Sequence, residues 1–315
     1  MTGARVLAFG GYQPDKIVTN DELAKIVDTT DEWIRSRVGI ESRRVAADGE
    51  TVTDMAEAAG AKALATSGLS AGDIDLLIVA TCTPEVMIPN VAATVADRLG
   101  ITAPGAFDLN AACAGFCYAL NVAADAVRSG SSRHALVIGS EKLSQWIDWT
   151  DRSTCIIFAD GAGAAVVGPT ADGEPSGIGP VLWGSAGDQA DRITIPDRNG
   201  FLRQDGQAVF RWTTTALAPL AREACERAGV KPEDITAFVP HQANLRIIES
   251  IARKLGIPRE RVADDIVVSG NTSSASVPLA LARMDEQGRL ESGTPALLLG
   301  FGAGLSYAAQ VITLP

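Results

Sequence analysis

The second half of this 315-residue chain repeats features of the first half in the same order. In each half, a Gly with an apolar neighbour is followed five residues later by Asp-Ile and an apolar run, at an offset of 161 residues. The matched segments are 68–74 with 229–235, 96–101 with 252–257, and 128–130 with 291–293. Chance could give one match, whereas three in order indicate a duplicated unit. We therefore expect two copies of one fold around a shared cleft that holds the functional site.

Short apolar runs alternate with helical patterns along the whole chain. The runs that we interpret as buried strands span residues 76–80, 135–139, 164–167, 237–239 and 296–299. The helical patterns span roughly residues 54–67, 90–99, 114–128, 212–228, 243–255 and 276–287. This alternation predicts an α/β fold with largely parallel strands. Because a Gly-, Pro- and Asp-rich segment occupies 168–180, we divide the chain into an N-terminal half, 1–172, and a C-terminal half, 173–315.

The chain is acidic, with 27 Lys and Arg against 38 Asp and Glu and a formal net charge of −11. This balance argues against general nucleic-acid binding, but it allows a local basic patch for an acidic partner. No apolar run approaches the ~18 residues of a membrane helix. Residues 1–11 lack the pattern of a signal peptide, so we expect a cytoplasmic protein that does not span a membrane.

Cysteine and histidine are scarce, with five and two residues respectively. The cysteines are scattered, odd in number and without CxxC spacing, so we expect neither a disulfide framework nor a metal site. We interpret His134, which lies beside Arg133 in a surface-turn pattern, as structural. His241 is then the remaining candidate for catalytic chemistry.

Cys113 stands where a strand-like run ends in small residues and a helical stretch begins. A thiol at a helix N-terminus feels the positive end of the helix dipole, which favours the thiolate. A lone cysteine is also commonly a buried small apolar residue, and this segment alone leaves both interpretations open. Cys117 lies one turn deeper on the same face, and we interpret it as core.

Three further segments place polar groups beside predicted strands. His241 follows the run 237–239, at the end of a strand where α/β proteins bind ligands. Asn271 lies in a polar run that is equivalent, by the duplication, to the Cys113 region. The segment 300–304 is glycine-rich, and its N–H groups could bind an oxyanion. Each segment also fits a structural role: a hydrogen-bonded loop His, a helix N-cap cluster and a tight turn.

In these features the chain resembles β-ketoacyl-[acyl-carrier-protein] synthase III, a family of condensing enzymes with the thiolase fold. The motifs that carry the resemblance are TDEWI at 30–34, AACAGF at 111–116, DGAGA at 160–164, PHQANLR at 240–246 and GNTS at 270–273. They extend over essentially the whole chain in family order. The resemblance implies a thiolase-like α/β fold in which the duplicated halves form a five-layer αβαβα sandwich.

The resemblance implies a ping-pong reaction that makes 3-oxoacyl-carrier protein, the first condensation of fatty-acid synthesis. Cys113 takes an acyl group from acyl-CoA, and malonyl-acyl-carrier protein then loses CO2 and attacks the thioester. His241 and Asn271 would donate hydrogen bonds to the oxygen on which enolate charge develops. The backbone N–H groups of Cys113 and Ala303 would form a second oxyanion hole. The family usually has Gly at the position of Ala303. An alanine there would be strained if the backbone had a positive φ. No cofactor is implied, because coenzyme A arrives as the substrate thioester.

The resemblance also assigns binding residues. Trp33 would stack on adenine with Arg152 on its other face, a sandwich that suits both side chains. The implied coenzyme A residues are Thr29, Trp33, Arg37, Arg152, Gly206, Phe210 and Asn244. Phe301 would wall the acyl pocket, and Ile88 from the partner of a homodimer would close its end. Because some relatives have Phe at the position of Ile88, we predict that branched or longer starters are tolerated.

The helical stretch 243–255 supplies a local basic patch on this acidic chain. It carries Arg246, Arg253 and Lys254, and the two arginines are seven residues apart and share a face. By resemblance this helix lies beside the coenzyme A tunnel, where it could bind the acidic carrier protein. A solvated helical face is an equally good interpretation.

Two other functions stay open at this point. A priming ketosynthase or acyltransferase of a polyketide pathway shares the same features. A non-catalytic binding protein of this fold should lack the nucleophile, whereas all three catalytic positions are present here. Thiolases and elongating synthases generally pair the Cys with two His, whereas this chain has Asn271 in one of those places.

Overall fold

The structure is a computed structural model that describes residues 3–197 and 200–315. Met1 and Thr2, which belong to the segment without a signal-peptide pattern, lie outside the described residues. The helices are α1 Asn20–Leu23, α2 Asp31–Val38, α3 Val52–Ser67, α4 Val91–Arg98, α5 Gly115–Ser129, α6 Arg152–Cys155, α7 Gly206–Arg227, α8 Leu245–Leu255, α9 Ile266–Ser269 and α10 Ser276–Glu286. The strands are β1 Ala4–Tyr12, β2 Lys16–Thr19, β3 Ser42–Val45, β4 Leu76–Ala80, β5 Gly105–Leu109, β6 Ala135–Lys142, β7 Asp160–Pro169, β8 Leu182–Ser185, β9 Ile193–Thr194, β10 Arg203–Gln204, β11 Ala237–Pro240, β12 Pro295–Gly302 and β13 Ser306–Thr313.

Two larger sheets form the frame of the molecule. Their strand orders are β1-β7-β6-β4-β5 and β11-β12-β13-β8. β4 pairs in parallel with β5 and β6, and β11 pairs in parallel with β12. The other neighbours are antiparallel, so the prediction of largely parallel strands is wrong. For example, β13 follows β12 after the three-residue turn Ala303–Leu305, and so short a connection can join only antiparallel strands.

Helices occupy three layers around these two sheets. α5 and α10 lie between the sheets, where Phe116 and Leu281 pack in one apolar cluster with Ile78 of β4 and Leu298 of β12. α3 and α4 cover the outer face of the five-stranded sheet, and α7 and α8 cover the outer face of the four-stranded sheet. Since successive strand residues point to opposite faces, each inner strand contributes to two layers. The predicted five-layer αβαβα sandwich is confirmed.

All six predicted helices and all five predicted strands are present, and all of them except the strand at 76–80 have shifted ends. The largest shift is at α7, which begins at Gly206 instead of residue 212. Asp205 caps it there, because its side chain accepts the N–H of Ala208 at 3.0 Å. The predicted division after residue 172 lies in the connection between β7 and β8, and it stays a prediction. No helix among the described residues is long and apolar enough to cross a membrane.

Candidate active site

One cavity of about 870 Å³ draws its walls from both halves of the chain. Its inner lining includes the buried side chains of His241, Asn271 and Phe301, and it includes the partly exposed Cys113. Its outer lining includes Trp33 on α2 and Phe210 on α7. The cavity therefore joins the surface to the residues that the sequence predicts to be catalytic.

Cys113 sits in the one-turn 3-10 helix Ala112–Ala114, directly before α5. Ala112 has a φ of 45°, in the left-handed region that non-glycine residues rarely adopt. Gly302 at the end of β12 lies against the turn, and a Cβ there would stand 2.6 Å from the Cβ of Cys113. The glycine and the left-handed alanine together place the thiol at the cavity wall.

The electrostatic surroundings of the Cys113 thiol differ from the sequence-based expectation. Burial, and to a smaller extent the charge of Glu141, raise its pKa to about 11, although the hydroxyl of Ser273 and the backbone N–H groups of Cys113 and Ala303 lower it. The thiol is therefore the resting form at neutral pH, and the predicted preference for thiolate at the helix N-terminus is wrong. Ala303 has no positive φ, so alanine fits there without the strain that the sequence left in question.

His241 follows β11, and its ring is fixed by Ser276 of α10. Nδ1 lies 2.7 Å from the Ser276 hydroxyl oxygen, which also accepts the N–H of Gln242 at 3.2 Å. The described hydrogen bonds give that hydroxyl no other acceptor, so its proton goes to Nδ1 and Nε2 carries the N–H. Burial lowers the pKa of His241 to about 3, so the ring is neutral at physiological pH. It presents a neutral donor to the cavity.

Asn271 reaches the same cavity from the loop between α9 and α10. Its backbone pairs with the chain around Phe158, through Asn271 N–H to Ile157 O and Ala159 N–H to Asn271 O, both at 2.9 Å. Its side-chain oxygen accepts the N–H of Ser273 at 2.8 Å. Because the oxygen is occupied, the NH2 group is the end of the amide that is available to the cavity.

The predicted coenzyme A residues form an aromatic and basic mouth, with one exception. The guanidinium of Arg152 lies 4.8 Å from the centre of the Trp33 ring, and that of Arg37 lies 5.6 Å from it. Arg152 therefore contacts Trp33 directly, and an adenine could enter between them only if Arg152 moves. Gly206, Phe210 and Asn244 also line the cavity. Thr29 does not, and its buried hydroxyl has no hydrogen-bond partner among the described residues.

Other predicted positions are separated from the cavity. Ile88 is 88% exposed on the loop between β4 and α4 and does not line it. Of the basic residues on α8, Arg246 lines the cavity and stands 5.2 Å over the Phe210 ring, whereas Arg253 and Lys254 lie farther along the helix. The α8 cations thus divide between the mouth and the outer surface.

Sequence reasoning missed four residues around the site. Ser276 orients His241, Ser273 contacts Asn271, and Cys82, to which we assigned no role, lines the cavity. Behind them Glu141 is fully buried. The run of serines after Asn271 was a visible signal, which we interpreted only as a possible helix cap. No sequence pattern connects Glu141 to it.

Two family models match this chain. The model described as 3-Oxoacyl-[acyl-carrier-protein (ACP)] synthase III matches residues 107–187, and the model of its C-terminal part matches residues 225–314. Beta-ketoacyl-[acyl-carrier-protein] synthase III 4 of Streptomyces coelicolor is 54% identical over 99% of both chains. The mycobacterial beta-ketoacyl-[acyl-carrier-protein] synthase III of Mycobacterium avium is 49% identical, covering 100% of this chain and 96% of the relative.

Solved structures give the same result. The priming beta-ketosynthase from the R1128 polyketide biosynthetic pathway superposes with a TM-score of 0.95 and 47% identity, covering 99% of this chain and 96% of that one. The 3-oxoacyl-[acyl-carrier-protein] synthase III of Aquifex aeolicus superposes with a TM-score of 0.94 and 41% identity, covering 99% and 100%. The family resemblance drawn from the sequence motifs is confirmed.

Proposed function

The chain belongs to the 3-oxoacyl-[acyl-carrier-protein] synthase III family, and we propose that it condenses an acyl-CoA with malonyl-acyl-carrier protein to give 3-oxoacyl-carrier protein. One observation carries the proposal. A thiol and two neutral hydrogen-bond donors, from Cys113, His241 and Asn271, line one cavity that opens between a tryptophan and several arginines. This set suits acyl transfer followed by decarboxylation.

In the first half-reaction, the sulfur of Cys113 attacks the thioester carbon of acyl-CoA. The tetrahedral oxygen takes up charge that the backbone N–H groups of Cys113 and Ala303 can stabilise. The carbon–sulfur bond to coenzyme A then breaks, and the thiol proton of Cys113 ends on the departing coenzyme A.

In the second half-reaction, malonyl-carrier protein loses CO2, and the electron pair of the broken bond forms an enolate. Its oxygen accepts hydrogen bonds from His241 Nε2 and Asn271 Nδ2, which are fixed before the charge appears. The enolate carbon attacks the acyl thioester, Cys113 leaves as thiolate, and one proton from solvent restores the thiol. A neutral His241 suits this role because it gives a hydrogen bond without giving up its proton.

Mass spectrometry after exposure to an acyl-CoA tests the assignment. We expect one acyl group on Cys113 and none on the Cys113→Ala variant, followed by product formation when malonyl-carrier protein is added. An intact protein that takes no acyl group from any member of an acyl-CoA panel would contradict the proposal and favour a binding protein of this fold.

We propose that the enzyme is a homodimer. Val86, Met87 and Ile88 are 53%, 76% and 88% exposed. Phe107, 37% exposed, lies on β5 at the edge of the five-stranded sheet, where the described residues give it no second strand partner. An exposed apolar patch beside a free strand edge is the usual mark of an interface. Sedimentation of the chain and of Phe107→Lys would test it, since we expect the charge to produce monomers.

The starter group and the pathway form the open part of the proposal. We expect Ile88, reaching the acyl pocket of a partner subunit, to leave room for branched or longer starters. The similarity to a priming ketosynthase favours polyketide priming as the second candidate. Isobutyryl-CoA used at least as well as acetyl-CoA would support the starter prediction, and strict acetyl preference would contradict it.

The five free cysteines suit a reducing compartment, and we propose a cytoplasmic location.

A further inference from the structure

A buried carboxylate stands behind the cavity at the end of β6. Glu141 has no exposed surface, and among the described residues it forms no ion pair. Its two oxygens accept six hydrogen bonds from five neighbouring residues. The donors are Thr81 Oγ1 at 3.2 Å, Cys82 N at 3.0 Å, Cys82 Sγ at 3.3 Å, Thr83 Oγ1 at 2.6 Å, Ser273 Oγ at 3.0 Å and Ser274 Oγ at 2.9 Å.

This arrangement suits a fixed anion. Burying a carboxylate without a cation is unfavourable unless hydrogen bonds replace its water. An ionised carboxylate offers about four lone-pair directions, and six donors already occupy them. Glu141 therefore has no free lone pair with which to accept a proton during the reaction. It acts through the groups that it holds in place and through its charge, which raises the pKa of the Cys113 thiol.

The carboxylate holds Ser273, which in turn holds Asn271. Ser273 has a φ of 52°, a backbone conformation that is strained for a residue with a side chain. Its hydroxyl donates to Glu141, and its N–H donates to the side-chain oxygen of Asn271 at 2.8 Å. The rotation of the Asn271 amide, and hence the direction of its NH2 group, depends on this chain of contacts.

We propose that Glu141 is a positioning residue for the condensation step: through Ser273, it fixes the Asn271 amide in the orientation that stabilises the enolate. This inference rests on the proposed function, because it assigns that donor role to Asn271. It predicts a selective defect. Loss of the anchor disturbs decarboxylation and condensation, whereas acyl transfer to Cys113, which uses backbone N–H groups, is largely spared.

The test compares the two half-reactions in Glu141→Gln and adds Ser273→Ala as a second variant. Glutamine keeps the shape of Glu141, but its NH2 group replaces one carboxylate oxygen and faces the hydrogen-bond donors that surround Glu141. Alanine removes the anchoring hydroxyl, which also contacts the Cys113 thiol, and Ala112 has a similar φ of 45° in this fold. We expect condensation to slow by about ten- to a hundredfold, which is the size of effect that a small misplacement of a reacting group causes. Acylation of Cys113 by acyl-CoA should not slow in Glu141→Gln, because the charge of Glu141 raises the pKa of the Cys113 thiol. Ser273→Ala is compared by its condensation rate alone, since its hydroxyl also contacts that thiol.

A matched control is Asp160→Asn, which neutralises another fully buried carboxylate. Asp160 accepts hydrogen bonds from Ala46 N–H and from Ser144, and none of these residues lines the cavity. Its melting temperature should fall, while the ratio of condensation to acylation stays at the wild-type value. A selective change in Asp160→Asn would mean that any buried charge has this effect, and it would overturn the proposal.

Combination with Asn271→Ala separates the inference from the proposed function. If Glu141 acts through Asn271, Glu141→Gln should cause no further slowing in the Asn271→Ala background. Any of three results would overturn the inference. The double variant could slow by the product of the two single effects, a variant could lose both half-reactions equally, or the single variants could condense at the wild-type rate. If Glu141→Gln does not fold, Glu141→Asp, which keeps the charge but draws the carboxylate back from Ser273, decides the question. Normal decarboxylation by Asn271→Ala would instead overturn the proposed role of Asn271.

Discussion

The two halves of the molecule carry the same backbone turn before a central helix, but only one turn presents a nucleophile. The turns are residues 110–114 and 271–275, which lie 161 positions apart. Their third residues, Ala112 and Ser273, have φ values of 45° and 52°. Each turn begins with an asparagine whose side-chain oxygen accepts the N–H of that third residue, at 3.1 Å and 2.8 Å respectively. The duplication thus provides two equivalent turns.

The difference lies in what faces the fourth residue of each turn. Cys113 faces Gly302, where a side chain would collide with it. Ser274 faces Glu141, the residue 161 positions before Gly302. Its single hydroxyl proton is shared between that carboxylate and Ala80 O, whose oxygens lie 2.9 and 2.8 Å from Oγ. A glycine therefore leaves one turn open to substrate, whereas a carboxylate closes the other. The two turns show that backbone geometry alone does not make a nucleophile.

The largest effect should come from the nucleophile itself. Cys113→Ala should abolish acylation and lower condensation by at least about 10⁴-fold, the scale expected when a covalent nucleophile is lost. Moving the thiol to the other turn sharpens the comparison. In Cys113→Ala combined with Ser274→Cys, mass spectrometry should find no acyl group on residue 274, because Glu141 and Ala80 enclose it. An acyl group there would show that the second turn is open.

The next largest effect should fall on the donors opposite the thiol. His241→Ala or Asn271→Ala should slow decarboxylation by about 10²–10³-fold, as the loss of one oxyanion donor does, with acylation nearly unchanged. Since burial lowers the pKa of His241 to about 3, the ring stays neutral as the pH falls from 8 to 5. The decarboxylation rate of Cys113→Ala should therefore show no inflection near 6.5. An acid limb there would mean that His241 titrates.

An added methyl group at Gly302 tests the open turn directly. The Cβ of Gly302→Ala would stand 2.6 Å from the Cβ and 3.0 Å from the Sγ of Cys113, so the thiol must move. We expect acylation to slow by about 10²-fold, the scale of a misplacement near 1 Å. Gly49→Ala is the control, because its added Cβ meets nothing within 4 Å. Acylation at the wild-type rate by folded Gly302→Ala would contradict this account of the turn.

The sequence was sufficient for the parts of the fold and site that depend on local pattern. Apolar runs and helical periodicity predict the layers, because burial on a strand and on a helix has different spacing. Cys113, His241 and Asn271 stand at recognisable ends of such elements. Strand direction was not visible in the pattern, because a buried strand has the same composition in parallel and antiparallel pairs. The prediction of largely parallel strands was therefore wrong.

Contacts made by distant segments were also beyond the sequence. Ser276 is 35 residues from His241, and Ser273 is 132 residues from Glu141. Their meeting depends on how α10 and the end of β6 pack, which no local spacing encodes. The raised pKa of Cys113 has the same origin, since burial by both halves outweighs the helix terminus that the sequence does show.

The smallest predicted effect concerns two outer helices, α4 and α8. Their arginines differ in whether an acidic side chain already pairs with them. On α4, Arg98 pairs with Asp54 and Glu57. On α8, Arg253 is exposed and has no ion pair among the described residues, so it can attract an acidic carrier protein.

Arg253→Glu should raise KM for malonyl-carrier protein by about three- to tenfold, the range of a rim charge, and leave acyl-CoA transfer unchanged. Arg246→Glu should raise KM for both substrates, because Arg246 lines the cavity. Arg98→Glu, the matched reversal on α4, should lower stability without changing KM for the carrier protein, and an equal rise in that KM would mean that net charge and not α8 attracts the partner.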